Sequence, residues 1–213
     1  MATFAIISEG KTDQVIIDRL IHQTCGAFFD KIAVRYARPM RDATDAKTAT
    51  HGNWELVLEY CQHGISDALE TNDFVVIQID TDCGDHKNFG VQLTECGVER
   101  DWSQLVKSAE AIISAKIGQE ILTANLERFI FAIAVHSSEA WLLTYFFGEK
   151  KTKNCFSHLS SKIIRNGTLK KFSKDVRSYT ALAAKIKSRD LATFEDNDDS
   201  FGHLLRQLKR LRP

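Results

Sequence analysis

Three stretches of this chain are apolar without the every-other-residue alternation of a half-exposed strand: residues 3–8 (TFAIIS), 74–79 (FVVIQI) and 129–135 (FIFAIAV). A strand reads this way when both of its faces are covered, which is the condition of a parallel sheet with helices on either side. Residues 31–37 (KIAVRYA) add a fourth strand. Helical spacing fills the intervals. In residues 12–24 the apolar positions are Val15, Ile16 and Leu20, widened by Ile17 and Ile21, and Thr12 is placed to cap the helix. Residues 54–70 carry Trp54, Leu56, Val57, Leu58, Tyr60, Cys61, Ile65 and Leu69, residues 101–123 read as one long helix, and HSSEAWLLTYFF after the last strand reads as another. The expected order is β-α-β-α-β-α-β-α over residues 1–148, a Rossmann-like α/β sheet of about four parallel strands flanked by helices. In such sheets ligands gather outside the carboxyl ends of the strands.

A chain of 213 residues has room for one large domain, or one domain with an extension. The division expected here is a sheet domain over 1–148 and a mostly helical extension over 149–213, broken near Asn197–Ser200 and packed on the first part. The net charge of zero hides a split. Residues 1–149 hold 12 Lys/Arg against 22 Asp/Glu, a balance of −10, and residues 150–213 hold 16 against 6, a balance of +10. A basic final third can draw a polyanion by counterion release, or simply pack beside the acidic part. No apolar run approaches the roughly 20 residues of a membrane span, and MATFAIISEG has neither the basic start nor the cleavage region of a signal peptide. A cytoplasmic protein with no membrane partner is expected. The five cysteines are odd in number and lack CxxC spacing, as free thiols in a reducing compartment would be. Zinc at Cys83, His86 and Cys96 has poor spacing and no evident fourth ligand.

The acids fall where a ligand site is expected. The first strand runs into Ser8-Glu9-Gly10, with Asp13 one helical turn later. The third runs into Asp80-Thr81-Asp82, with Asp85 nearby, and the fourth into Ser137-Ser138-Glu139. Each acid has an ordinary alternative. Asp80 can cap a turn, Asp13 and Glu139 can favour a helix dipole from a first turn with Ser137 or Ser138 as N-cap, and Asp85 can be a solvated loop charge. Together, at the carboxyl ends of neighbouring strands, they repel one another unless a cation compensates. Oxygen ligands of this kind favour Mg²⁺ or Mn²⁺, and such an ion with open positions for phosphate oxygens serves phosphoryl transfer. Glu9 can ligate the ion or act as general acid or base.

The ordered set ISEGKTD (7–13), VVIQIDTD (75–82) and Ser137-x-Glu139 within HSSEAWLL resembles the Toprim pattern, and more closely the Toprim nucleases of the overcoming-lysogenization (OLD) type and their small stand-alone relatives. The resemblance covers residues 1–148. It implies a Toprim-like fold and a metal-dependent nuclease or phosphodiesterase, using two Mg²⁺ or Mn²⁺ ions and linked to phage defence or mobile elements. It implies Glu9, Asp13, Asp80, Asp82 and Glu139 as metal-holding catalytic residues, with Ser137 orienting a ligand or phosphate. Nucleic acid is the implied partner, with a separate ATPase protein where activity requires one. The expected nucleic-acid contacts are Lys11, Lys170, Lys171 and Lys174.

Rival readings remain. Ala5 to Thr12 fits a relaxed Walker A pattern, but Ile6 and Ile7 read as strand and Glu9 would repel phosphates, so a P-loop NTPase fits poorly. A phosphatase using IDTD as nucleophile motif would carry it after the first strand, not the third. A non-catalytic Toprim-like module that binds nucleic acid or a partner is the third alternative. His136, beside Ser137, reads either as a catalytic assistant or as a satisfied strand-end histidine.

Overall fold

The computed structural model describes residues 1–40 and 53–212. Its centre is a sheet of four parallel strands, β1 (Ala2–Ile7), β2 (Ile32–Arg38), β3 (Phe74–Asp80) and, last in sequence, β6 (Phe129–Ala134), in the spatial order β2-β1-β3-β6. The two strands with continuous apolar partners on both sides, β1 and β3, are central. β2 is half-buried along its length, as an edge strand is. The helices are α1 (Lys11–Cys25), α2 (Asn53–His63), α3 (Ile65–Thr71), α4 (Trp102–Ile117), α5 (Gln119–Asn125), α6 (Ser138–Phe147), α7 (Cys155–Arg165), α8 (Val176–Ala183), α9 (Ser188–Leu191) and α10 (Ser200–Lys209).

Alternate residues of the central strands feed two cores. On one face Phe4, Ile6, Val76, Ile130 and Ala132 pack with α1, α6, α7, α8 and α10. On the other, Ala5, Ile7, Val75, Ile77 and Phe131 pack with α2, α3 and α4. Residues 149–213 thus share one core with the sheet: Leu159, Leu182 and Leu204 bury in the same cluster as Ile16 and Leu20. Among the described residues no helix is long and apolar enough to cross a membrane.

Several expected elements differ in detail. The helix expected over 54–70 divides at Gly64, where a Cβ would stand 2.9 Å from the Tyr60 ring. The one expected over 101–123 divides at Gly118, whose φ of 88° suits glycine alone. Thr12 is not the cap of α1: the helix starts a residue earlier and Gly10 holds the N-cap position. The stretch after β3 contains a small hairpin of β4 (Thr94–Glu95) and β5 (Val98–Glu99). Cys96 and Gly97, both at positive φ, form its turn. Residues 41–52, most of a segment expected as loop or partial helix from Pro39 to Gly52, lie outside the described residues.

Candidate functional site

Because β1 and β3 are neighbours, the turns that follow them must meet at the carboxyl rim of the sheet. They are joined there directly. The Asp80 amide donates to Glu9 Oε1 at 2.6 Å. Gln78, fully buried in β3, donates through Nε2 to Asp80 Oδ1 at 2.7 Å and accepts the Glu9 amide on Oε1 at 3.2 Å. Sequence reasoning passed over Gln78, although a lone amide inside FVVIQI marks a place where a buried strand has a polar task.

The β3 turn is also tied to β6. The Thr81 amide donates to the Ala134 carbonyl, and the Asp82 amide to the His136 carbonyl, each at 3.0 Å. Thr81 Oγ1 accepts the His136 amide at 2.8 Å. His136 has a φ of 65° and the Ser137 amide reaches back to the Val135 carbonyl at 3.1 Å, so the chain reverses tightly before α6. Its Nε2 lies 2.8 Å from Glu99 Oε1. The histidine therefore fastens the hairpin to the strand end through Nε2.

On the other side, Asp13 from the first turn of α1 is buried and accepts a 2.5 Å hydrogen bond from Ser138 Oγ. Gly10 makes room for it: a Cβ there would stand 2.9 Å from Asp13 Oδ2. Glu139, in the first turn of α6 and 3% exposed, accepts a short hydrogen bond from Tyr179 on α8. Lys174 Nζ stands 3.8 Å from the same oxygen. The Tyr179 ring packs at a tilt against Phe172, centroids 5.1 Å apart, which holds the phenol in place. Nothing in the local sequence pattern distinguishes Tyr179 from an ordinary core tyrosine.

Glu9, Asp13, Asp80, Asp82 and Glu139 line one cleft of about 520 Å³, together with Asp175, Trp54, Cys83, Lys11 and Lys174. Asp82 is at its exposed mouth. Burial dominates the electrostatics. Burial first, with Asp13 and Asp82 adding to it, pushes the Glu9 carboxyl up to about 8, against the Asp80 amide and Lys174, which favour its charged form. Burial, opposed by the Ser138 hydroxyl, raises Asp13 to about 6. Asp80 is raised well above the ordinary range, by burial first and then by Asp13, Glu9, Glu139 and Asp82. The Tyr179 phenol is pushed up by burial and by Glu139, so it stays a donor.

Not every residue singled out from the sequence is in this cleft. Ser137 holds the N-cap position of α6 without a capping bond, and its hydroxyl faces the Cys155 thiol. Of the two serines it is Ser138 whose hydroxyl reaches an acid, Asp13. Lys170 and Lys171 are exposed and do not line the cleft, whereas Lys11 and Lys174 do. Asp85 accepts the Leu93 amide at 2.9 Å and holds its own loop. Cys83 and Cys96 are exposed free thiols, and His86 packs its ring against Trp54. Ala5, Ile6 and Ile7 lie fully buried in β1, where a phosphate-cradling loop would need open backbone amides.

The donor set suits a hard cation: carboxylate oxygens from three strand ends, with ammonium groups, among the described residues, from Lys11 and Lys174. Among the described residues no three His, Cys, Asp or Glu side chains already stand as a closed metal cage. Each inner acid instead has its own hydrogen-bond donor: the Asp80 amide for Glu9, Gln78 for Asp80, Ser138 for Asp13 and Tyr179 for Glu139. Compared with models of protein families, with curated proteins and with solved structures, the chain gave no match.

Proposed function

We propose that this chain is a Toprim-like, metal-dependent nuclease or phosphodiesterase that cleaves nucleic acid, as its resemblance to the OLD type implies. One observation carries the reading: Glu9, Asp13 and Asp80 converge in one cleft with their carboxyls held far above the usual range. Folding gains nothing from such an arrangement, and a divalent cation would offset its cost. Glu9 and Asp80, fixed by adjoining turns, would hold Mg²⁺ or Mn²⁺, with Asp82 at the mouth and Asp13 and Glu139 completing the negative field. Bound there, one ion or two would supply charge for an attacking water and a phosphate oxygen. The protein's own part is positional. Gln78 and the Asp80 amide keep two carboxylates aimed at the same space, Tyr179 and Ser138 hold the deeper pair, and Lys174 offers a positive group beside Glu139 for the phosphodiester. Lys11 stands at the same cleft, and Lys170 and Lys171 extend the basic surface. A separate ATPase protein and a role in phage defence or mobile-element biology belong to this reading.

That each inner acid already has its own hydrogen-bond donor favours a second reading, in which the chain binds nucleic acid or a partner without cleaving it. Incubation of single- and double-stranded DNA and RNA with Mg²⁺ or Mn²⁺ separates the two. Cleavage that Asp80→Asn and Glu9→Gln both abolish, with circular dichroism unchanged, supports the nuclease. Binding that survives Asp80→Asn, with no product on any substrate, leaves only the binding module.

A further inference from the structure

α6 separates the acidic cleft from a second concavity. Glu139 faces the first, while Ala140, Trp141 and Thr144 face the second. This pocket holds about 180 Å³, and its walls are Trp102 at the start of α4, Trp141 on α6, Phe201 on α10 and Val135 just after β6. Both indole N–H groups are engaged. Trp141 Nε1 donates to Ser200 Oγ at 2.9 Å, and Trp102 Nε1 to Asp198 Oδ1 at 3.2 Å. Trp141, 2% exposed and stacked on Phe201, closes the floor of the pocket, while the half-buried Trp102 ring offers a flat apolar face and no free donor.

The rim is polar and of both signs: Lys150, Lys151 and Thr152 on one side, Asp198 and Asp199 on the other. Asp199 Oδ1 caps α10 by accepting the Gly202 amide at 2.9 Å. Its Oδ2 is enclosed and accepts no hydrogen bond among the described residues. Lys150 Nζ, 3.7 Å away, is an ion partner beyond hydrogen-bond reach. An enclosed oxygen of this kind calls for a donor.

We propose that this pocket receives one nucleobase carrying an exocyclic amino group, with the attached phosphate outside at Lys150 and Lys151. Size selects the class. About 180 Å³ exceeds the roughly 150 Å³ cavity that admits benzene but falls short of the roughly 300 Å³ at which pockets begin to enclose larger ligands. One planar ring system fits, and a whole nucleotide does not. An indole face such as that of Trp102 stacks on a base, Asp198 and Asp199 accept from an amino group once Lys150 turns to the phosphate, and the lysines answer the anion. Choosing a base over other planar amines rests on the nucleic-acid reading above, which it deepens by giving the substrate a base contact across α6 from the carboxylates.

The test uses the full chain in EDTA and saturation-transfer NMR, whose signal does not depend on an indole that is later removed. GMP, AMP and CMP should give base-proton signals at concentrations below about 10 mM, in the weak range expected for a single base. UMP should bind several-fold more weakly, and ribose 5-phosphate should give no signal. Trp102→Ala should weaken GMP binding by roughly tenfold to a hundredfold. Asp199→Asn keeps Oδ1 for the helix cap and should erase the preference for amino-bearing bases, with circular dichroism confirming the fold. Ribose 5-phosphate binding as well as GMP, or GMP binding indifferent to Trp102→Ala, overturns the proposal. Cleavage without base binding sinks this pocket and spares the nuclease. Base binding without cleavage does the reverse.

Discussion

The two rims of the sheet treat charge in opposite ways. At the amino rim Asp73 and Arg128 are both answered. Asp73 Oδ2 accepts from the Thr3 amide at 2.7 Å and from the Thr3 hydroxyl at 2.8 Å, and those bonds hold its carboxyl below the usual range. The Arg128 guanidinium donates to the carbonyls of Leu69, Asn72 and Asp73 and to Asn125 Oδ1, tying the end of α3 to the start of β3. At the carboxyl rim, Asp13 is buried, Glu9 and Asp80 are half-buried beside it, and all three carboxyls are raised. One rim uses charge to hold the sheet together. The other keeps charge that opposes folding, and that difference separates a structural cluster from a candidate active site.

The largest expected effect is on that contrast itself. Asp80→Asn or Glu9→Gln should lower metal-dependent cleavage by about a hundredfold or more, since each removes a group worth several kcal/mol to charge stabilisation at the ion. The same changes should raise the urea midpoint of the metal-free protein, because the cost of burying a carboxylate, and with it the repulsion of its neighbours, is relieved. Activity and stability moving in opposite directions is the signature to look for. A fall in both would mean that these acids are structural after all, and the contrast between the rims would dissolve.

The amino rim supplies the converse. Arg128→Ala should cost about 3 kcal/mol by urea denaturation, since carbonyls that it satisfies lose their donor. Cleavage per folded molecule should not change. An activity loss larger than the loss of folded protein would show that the two rims are coupled through β3.

A smaller effect is expected of Tyr179, which reaches the carboxyl rim from the region read as an extension. Tyr179→Phe keeps the ring beside Phe172 and deletes the donor to Glu139. Mn²⁺ affinity, read by electron paramagnetic resonance, should fall about tenfold, the usual consequence of losing a group that orients a ligand. Unchanged affinity would place Glu139 outside the ion's surroundings.

Much of the carboxyl rim was legible in the sequence because sheet geometry is so restrictive. Unalternating strands force a parallel sheet, a parallel sheet puts every strand's end on one rim, and Glu9, Asp80 and Glu139 follow from position alone. The partners of those acids were not legible. Ser138 rather than Ser137 bonds Asp13 because the chain reverses at His136 with positive φ, and one residue of turn geometry decides which serine faces inward. Tyr179 and Lys174 arrive from 40 and 35 positions beyond Glu139, a tertiary contact that no local pattern encodes. The hairpin at residues 94–99 escaped because it has two residues per strand and its pairing depends on a turn at Cys96–Gly97. The division into a sheet domain and an extension follows the charge of the sequence, whereas packing follows its apolar faces, and those run across the division through α1, α8 and α10.

The finest distinction between the rims is in their response to pH. Glu9 is raised from 4.5 to about 8 and Asp13 from 3.8 to about 6, so the folded protein keeps protons that the unfolded chain has released. Wherever the unfolded state binds fewer protons, stability falls as pH rises. The metal-free protein should therefore be most stable near the low end of the interval between pH 5 and 8 and lose stability across it, with Asp13 contributing below about pH 6 and Glu9 up to about pH 8. Asp73, at the other rim, has the opposite sign: its stabilisation is complete above the ordinary aspartate range and is lost only in stronger acid. Thermal melts in EDTA should fall by about 5 °C over the interval, and Glu9→Gln, which has no proton to release, should flatten the upper half. Excess Mg²⁺ favours the ionised acids and should raise the melting temperature more at pH 8 than at pH 5. Equal Mg²⁺ stabilisation at both pH values would mean that the ion binds away from Glu9, leaving the raised carboxyls without the cation that gives them a purpose.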